Sequence, residues 1–275
     1  MPGTLFLEAF GQLSRDTSLT GIVSEEKEDL YSVFNARANL MSWATTASAR
    51  RRVEIWDMNE AELTAGTDAS RIGWVQVGLG EVVEPSTLEL PTPVRGWTSL
   101  LPVVRHSAVE PPMVLPALVQ CFDDALRRFG VVELSGLQLT ATYLEPSTRS
   151  CYPDLVGVLN WFNTTQKARA DAVIAFDQEL LGGQTEAELL ASIERDKRSF
   201  EFGPVVAVPE QHLIKVPVEA PWRGVSPARS GLGVSVTMPE WTASAVGWVL
   251  ARVIDAARAS APDVPNFAVR VTRVR

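Results

Sequence analysis

Cysteine and histidine are scarce in this chain. Two of each occur in 275 residues: Cys121, Cys151, His106 and His212. Two cysteines make no disulfide framework, and so small a set offers no zinc-ligand spacing. Cys121 sits in an apolar helical run and reads as a small core residue; Cys151 lies in a loop beside Pro153. Histidine is the usual acid or base at neutral pH. His106 and His212 fall at non-equivalent places in the pattern described below, and each reads as a loop or strand-end residue. A Ser-His-Asp triad lacks its Gly-x-Ser-x-Gly elbow. Gly182-Gly183 precedes a helix start, but no lysine follows at the Walker position, so a tight turn is the reading. No metal or cofactor is expected.

Positive charge is also short, with a formal net charge of −8. Nucleic-acid binding draws its affinity from Lys and Arg neutralising phosphates. The one dense basic cluster, Arg50-Arg51-Arg52, reads as solvated charge. Lysine itself is rare, 4 against 21 arginines, a skew that charge does not require and that hints at a bacterial source. No run approaches the ~18–20 apolar residues of a membrane span. The N-terminus lacks a basic segment followed by an apolar one, so no signal peptide is expected and the cytoplasm is the expected location.

What the chain does have is internal likeness. Asn59–Leu144 and Gln184–Val274 share an order of features about 125 residues apart. Each opens on a capped helix start (Asn59-Glu60-Ala61-Glu62, Thr185-Glu186-Ala187-Glu188) in which a carboxylate reaches back to orphan backbone donors. A Gly-x-Val-Val turn follows (Gly80–Val83, Gly203–Val206), then an Arg-Gly pair (Arg95-Gly96, Arg223-Gly224). Each copy then has a long helix (Pro112 to Phe129, Trp241 to Ala259) and closes on an alternating strand (Leu137 to Leu144, Phe267 to Val274). Apolar residues at Leu115, Leu118, Val119, Phe122, Ala125 and Leu126 give the first long helix one buried stripe.

Further strands are expected at Thr4–Leu13, Leu30–Asn35, Arg52–Asp57, Arg71–Val83, Val156–Asn163, Ala172–Asp177 and Phe200–Val208, with a helix over Ala36–Ala49. The clean alternation of Leu137–Tyr143 and Phe267–Val274 predicts one buried and one solvated face. Proline at 85, 91, 93 and 102, and at 209, 217, 221 and 227, predicts edge strands and rigid loops there. Gly78-Leu79-Gly80 and Gly231-Leu232-Gly233 read as bulges.

The expected fold is α+β: a tandem duplication of a strand-rich unit, residues 1–146 and 147–275, with largely antiparallel sheet, helices on one face and a pseudo-twofold. The two sheets lie side by side or form one continuous sheet.

Function is read from the loops. Trp is abundant, with 8 in the chain, and Trp and Arg anchor interfaces. Arg95, Trp97, Trp222 and Arg223 are the binding candidates, each expected in a proline-stiffened loop that loses little entropy on binding. Trp56, Trp74, Trp161 and Trp248 read as core. The sequence therefore favours a non-catalytic protein that binds a protein partner or assembles with itself, for example as an immunity or accessory protein. The alternative is an enzyme or small-ligand protein with a carboxylate-lined site between the repeats, using Asp57 and Asp177.

Overall fold

The structure, a computed structural model, describes residues 4–15, 30–41, 45–46, 74–83, 93–102, 115–142, 169–177, 188–191, 200–214, 229–260 and 267–274. Nine described strands join in one sheet: β1 (Thr4–Arg15), β2 (Thr45–Thr46), β3 (Trp74–Val83), β4 (Pro93–Pro102), β5 (Gly130–Thr142), β6 (Ala170–Asp177), β7 (Glu201–Ala207), β8 (Arg229–Met238) and β9 (Phe267–Arg273). Their order across the sheet is β2-β3-β4-β1-β5-β9-β6-β8-β7. Every pairing is antiparallel except the short β2–β3 contact. Three longer helices accompany it: α1 (Leu30–Leu40), α2 (Leu115–Arg127) and α3 (Ala243–Ser260). This is a mixed α+β architecture, and the sheet is continuous from β2 to β7.

The helices bury their stripes against one face of the sheet. Leu118, Val119, Phe122 and Leu126 of α2 and Val246, Val249, Leu250 and Val253 of α3 form one cluster with alternate strand residues. Those strand residues are Leu5 and Leu7 of β1, Leu137 and Leu139 of β5, Val269 and Val271 of β9, and Ile174 and Phe176 of β6. The period of 2 in the strands and the 3–4 spacing in the helices are what aim these residues at a common layer. Gly247 lets α3 approach α2 closely: a Cβ there would lie 3.2 Å from Val119 Cβ and 3.3 Å from Pro116 Cα. Cys121 is buried in α2 as expected. Trp248 is core as well.

The other face is buried too, which corrects the expectation of a solvated side. Phe6, Glu8, Gln138, Thr140, Ala268, Arg270 and Thr272 are all buried. Part of the cover comes from the chain after β7. Val208 and Ile214 pack with Val173, Ala175 and Ala268 on this face. Alternation in the sequence reports a change of side-chain chemistry from face to face. It does not report whether a later segment returns to roof the polar side.

The helix expected over Ala36–Ala49 ends at Leu40, and Thr45–Thr46 within that range is the strand β2, drawn into the sheet by pairing with β3. Two further element expectations change. Leu30–Asn35 is the first half of α1, not a strand. Its Tyr, Val and Phe favour strands locally, but Phe34 and Ala38 are buried in the helix-side cluster while Ala36 between them is exposed, which fits a helical turn and not the two-residue period of a strand. The Phe34 ring meets Phe122 edge-on with centroids 6.4 Å apart, and Arg37 Nε donates to Asp124 Oδ2 at 2.8 Å, docking α1 on α2. The second change is β4, a strand where prolines predicted edges and loops. It runs between β3 and β1, with Pro93 and Pro102 at its two ends. Proline removes a donor, and at a strand terminus that loss falls where the ladder stops. Pro204, by contrast, does lie on the edge strand β7, where pairing is interrupted between Phe202 and Val205.

Both glycine-flanked triplets coincide with register shifts. One falls between Gln76 and Gly78 of β3; the other opposes residues 230–232 to the step between Ala175 and Asp177 of β6. A third shift, between Phe10 and Gly11 of β1, leaves Ser135 of β5 as the extra residue. Here glycine is required by close approach, since a Cβ at Gly11 would come within 2.3 Å of the Glu133 carbonyl oxygen. The expected strands at Arg52–Asp57 and Val156–Asn163 lie outside the described residues, as does the helix start at Asn59. Residues 188–191 are helical, within the second predicted start.

Candidate functional site

The third bulge opens a groove. β5 pairs with β9 only over Gly136–Ala141, although β5 begins at Gly130. The end of β9 turns its bonding to the β6 side, where the Val274 N–H donates to the Asp171 carbonyl at 2.9 Å. The stretch Val132–Ser135 therefore keeps β1 on one side and, on the other, faces a cavity of about 390 Å³. The opposite wall is the entry to α3, with Trp241, Thr242 and Ala243, and Arg127 and Arg273 complete the lining.

Local hydrogen bonds hold this wall in place. The Thr242 hydroxyl accepts the Ala245 N–H at 3.2 Å, the N-cap bond that starts α3. It also donates to Glu240 Oε1 at 2.9 Å. Trp241, ahead of the cap, donates its indole N–H to the Leu134 carbonyl at 2.6 Å. That bond fixes the ring against the open side of β5 and shows that this backbone accepts bonds there. The Arg273 guanidinium carbon lies 5.9 Å from the Trp241 ring centroid, at the outer range of a cation–π contact. Arg127 is tied down on its own helix, donating Nε–H to Asp123 Oδ2 at 2.6 Å. Glu133 contributes the one carboxylate of the lining. Among the described residues the groove thus combines a rigid indole, two exposed guanidinium groups of which Arg127 is tethered, and backbone that no strand pairs on that side. Five of its nine lining residues precede residue 147 and four follow it.

The second polar feature is a row across the buried face. Gln138 of β5 donates Nε2–H to Glu8 Oε2 of β1 at 2.9 Å. Opposite Gln138 on β9 stands Arg270, which donates Nη1–H to the Leu213 carbonyl at 2.8 Å and lies 4.2 Å above the Phe10 ring. His212, in the 3-10 turn Glu210–His212, is held below the ordinary 6.5 of a histidine by burial and then by the Arg270 charge. Its Nδ1 and the Thr272 hydroxyl have no hydrogen-bond partner among the described residues.

Of the residues singled out by sequence, Arg95 and Trp97 fall in β4 and not in a loop. The register sets Trp97 opposite Glu8 and Arg95 opposite Phe10. Trp222, Arg223, His106 and Asp57 lie outside the described residues. Asp177 ends β6 opposite Arg229. Among the described residues no cluster of His, Cys, Asp and Glu is arranged to hold a metal ion. No described helix is long and apolar enough to cross a membrane.

The sequence reading begins the second long helix at Trp241, whereas α3 begins at Ala243. That reading missed that the indole stands before the Thr242 cap, free to reach a neighbouring strand. A tryptophan immediately ahead of a Thr cap was the available signal. Arg273 and Ser135 carried none, because their placement depends on where β9 parts from β5.

No protein-family model matches the chain, and no curated protein or solved structure matches it either.

Proposed function

We propose that this chain is a non-catalytic binding protein that recognises a protein partner, or a second copy of itself, through surfaces built on a duplicated scaffold. The observation that carries this reading is the groove, where Trp241 and Arg273 from the second half meet Arg127 and the open β5 backbone from the first. Trp and Arg are the residues that concentrate binding energy at interfaces. The duplication, residues 1–146 and 147–275, is supported by the strand order. Read inward from each side, β3-β4-β1-β5 meets β7-β8-β6-β9, and each half carries one long helix between its last two strands. On this reading β1 corresponds to β6, α2 to α3 and β5 to β9, with a pseudo-twofold between β5 and β9. A bacterial, cytoplasmic immunity or accessory protein fits the acidic charge and the arginine bias.

The test places a photo-reactive amino acid at Ser135 and cross-links in the source cell, followed by mass spectrometry, with sedimentation velocity on the purified chain. One dominant cross-linked protein, or concentration-dependent dimerisation, supports the reading. A strictly monomeric chain with no specific cross-link, at Ser135 or at Trp97 and Trp222, overturns it.

A second reading, an enzyme or small-ligand protein, is favoured by Glu8, a buried carboxylate beside Gln138, one strand from the junction of the halves. A thermal-shift screen of small metabolites discriminates the two. A ligand-dependent rise in Tm that disappears in Glu8→Gln supports this second reading. A screen without such a hit sinks it.

A further inference from the structure

We infer that the groove takes an extended segment of the partner that bears a carboxylate, pairing with the open side of β5 and setting its acidic group against Arg273. This rests on the partner-binding reading above and names the chemistry recognised.

The backbone argument comes first. In a sheet, residues two apart direct their peptide groups to the same side. Leu134 directs its carbonyl into the groove, where Trp241 takes it, so Val132 presents its N–H and C=O there as well. β9, the natural neighbour on that side, is bonded to β5 only from Gly136 onward. An extended segment laid beside Val132 would continue the place that β9 gives up. Strand addition of this kind draws affinity from main-chain bonds and specificity from side-chain pockets. The Ser135 bulge turns the strand at the point where β9 departs, the place such irregularities re-aim a site.

The charge argument is independent of it. Arg127 is neutralised by Asp123 at 2.6 Å. Arg273, exposed at the mouth of the groove, has no carboxylate partner among the described residues and rests near the Trp241 ring. A guanidinium held against an aromatic face is pre-oriented for a planar, two-pronged acceptor. Glu133 on the rim disfavours a ligand with several carboxylates, so one acidic residue within an otherwise neutral, β-forming segment fits the lining.

The experiment pans a randomised heptapeptide display library on the intact chain and titrates the selected peptides by calorimetry. The expected winners carry Asp or Glu among Val, Ile and Thr. Arg273→Gln, an exposed change that leaves the fold intact by circular dichroism, weakens them on the order of tenfold, as loss of a charged hydrogen bond does. Arg273→Lys recovers part of the loss. N-methylation of alternate peptide amides abolishes binding to the unchanged protein, a result independent of any variant's folding. Winners without acidic bias, indifference to Arg273→Gln, full binding of the N-methylated peptide, or no enrichment at all would each overturn the inference. If the Ser135 cross-link still captures one partner in that event, the partner-binding reading stands and only the ligand class is wrong.

Discussion

Gln138 and Glu8 meet side chain to side chain inside the sheet's second face, Nε2 to Oε2 at 2.9 Å, with Gln138 fully buried. A buried carboxylate needs donors, and a neutral amide supplies one without adding a second charge to desolvate. Gln138→Ala removes that donor and leaves space. It is expected to lower unfolding free energy by about 1–3 kcal/mol, read from the urea midpoint. An unchanged midpoint would mean that this pair contributes nothing to holding β1 on β5.

The α2–α3 crossing depends on the absence of a side chain at Gly247. Gly247→Leu forces a branched side chain between Val119 and Pro116 and is expected to cost about 1–3 kcal/mol by overpacking. Gly231, where an added Cβ meets nothing within 4 Å, is the matched control. Gly231→Leu is expected to stay within about 0.5 kcal/mol of the parent. Thermal unfolding of the two variants decides it, and equal losses would refute the close-approach account.

His212 gives the chain a pH dependence of definite sign. Burial and the Arg270 charge hold its pKa below the 6.5 it has when unfolded. The unfolded state therefore takes up the proton first, so the contribution is fully present above pH 6.5 and is lost as pH falls below it. His212→Gln is expected to flatten the difference between urea midpoints at pH 7.5 and 5.5. The carboxylates that also titrate there are common to both proteins. A variant with the same slope as the parent would contradict the prediction.

Cys121 behaves in the opposite sense. Burial pushes its thiol from 9.0 up to about 11, opposed by Arg37 and assisted by Asp124. The thiolate is the reactive form. In a Cys151→Ser background the native chain is expected not to react with a thiol reagent at pH 8 until urea unfolds it. Its linkage follows: the folded state keeps the proton longer, so this contribution to stability is present below pH 9 and is lost as pH rises through about 11. Rapid labelling of the native protein would place Cys121 outside the core.

Much of the secondary structure was legible in the order of residues. The stripe from Leu115 to Leu126 marks α2, and the alternation of Phe267–Val274 marks β9, because these periods are local consequences of backbone geometry. Leu30–Asn35 was misleading for the same reason. Six alternating residues carry too little signal, and burial of Phe34 and Ala38 with Ala36 left exposed, the pattern of a helix, exists only because α2 with Phe122 stands beside them. Arg95 and Trp97 were singled out by composition, yet their place in β4 follows from pairing with Glu8 and Phe10, a contact some 90 residues distant in the chain that no window along it contains.

By itself, then, the amino-acid order determined which segments are strands or helices over most of the described core, and that the two long helices would share a layer. It did so because side-chain periodicity is written residue by residue. Only the tertiary structure decided that β9 pairs with β5 no further than Gly136, leaving Trp241 and Arg273 over a stretch of backbone that no described strand pairs on that side. Which strands become neighbours, and where their pairing ends, depends on how the whole sheet packs beneath its helices.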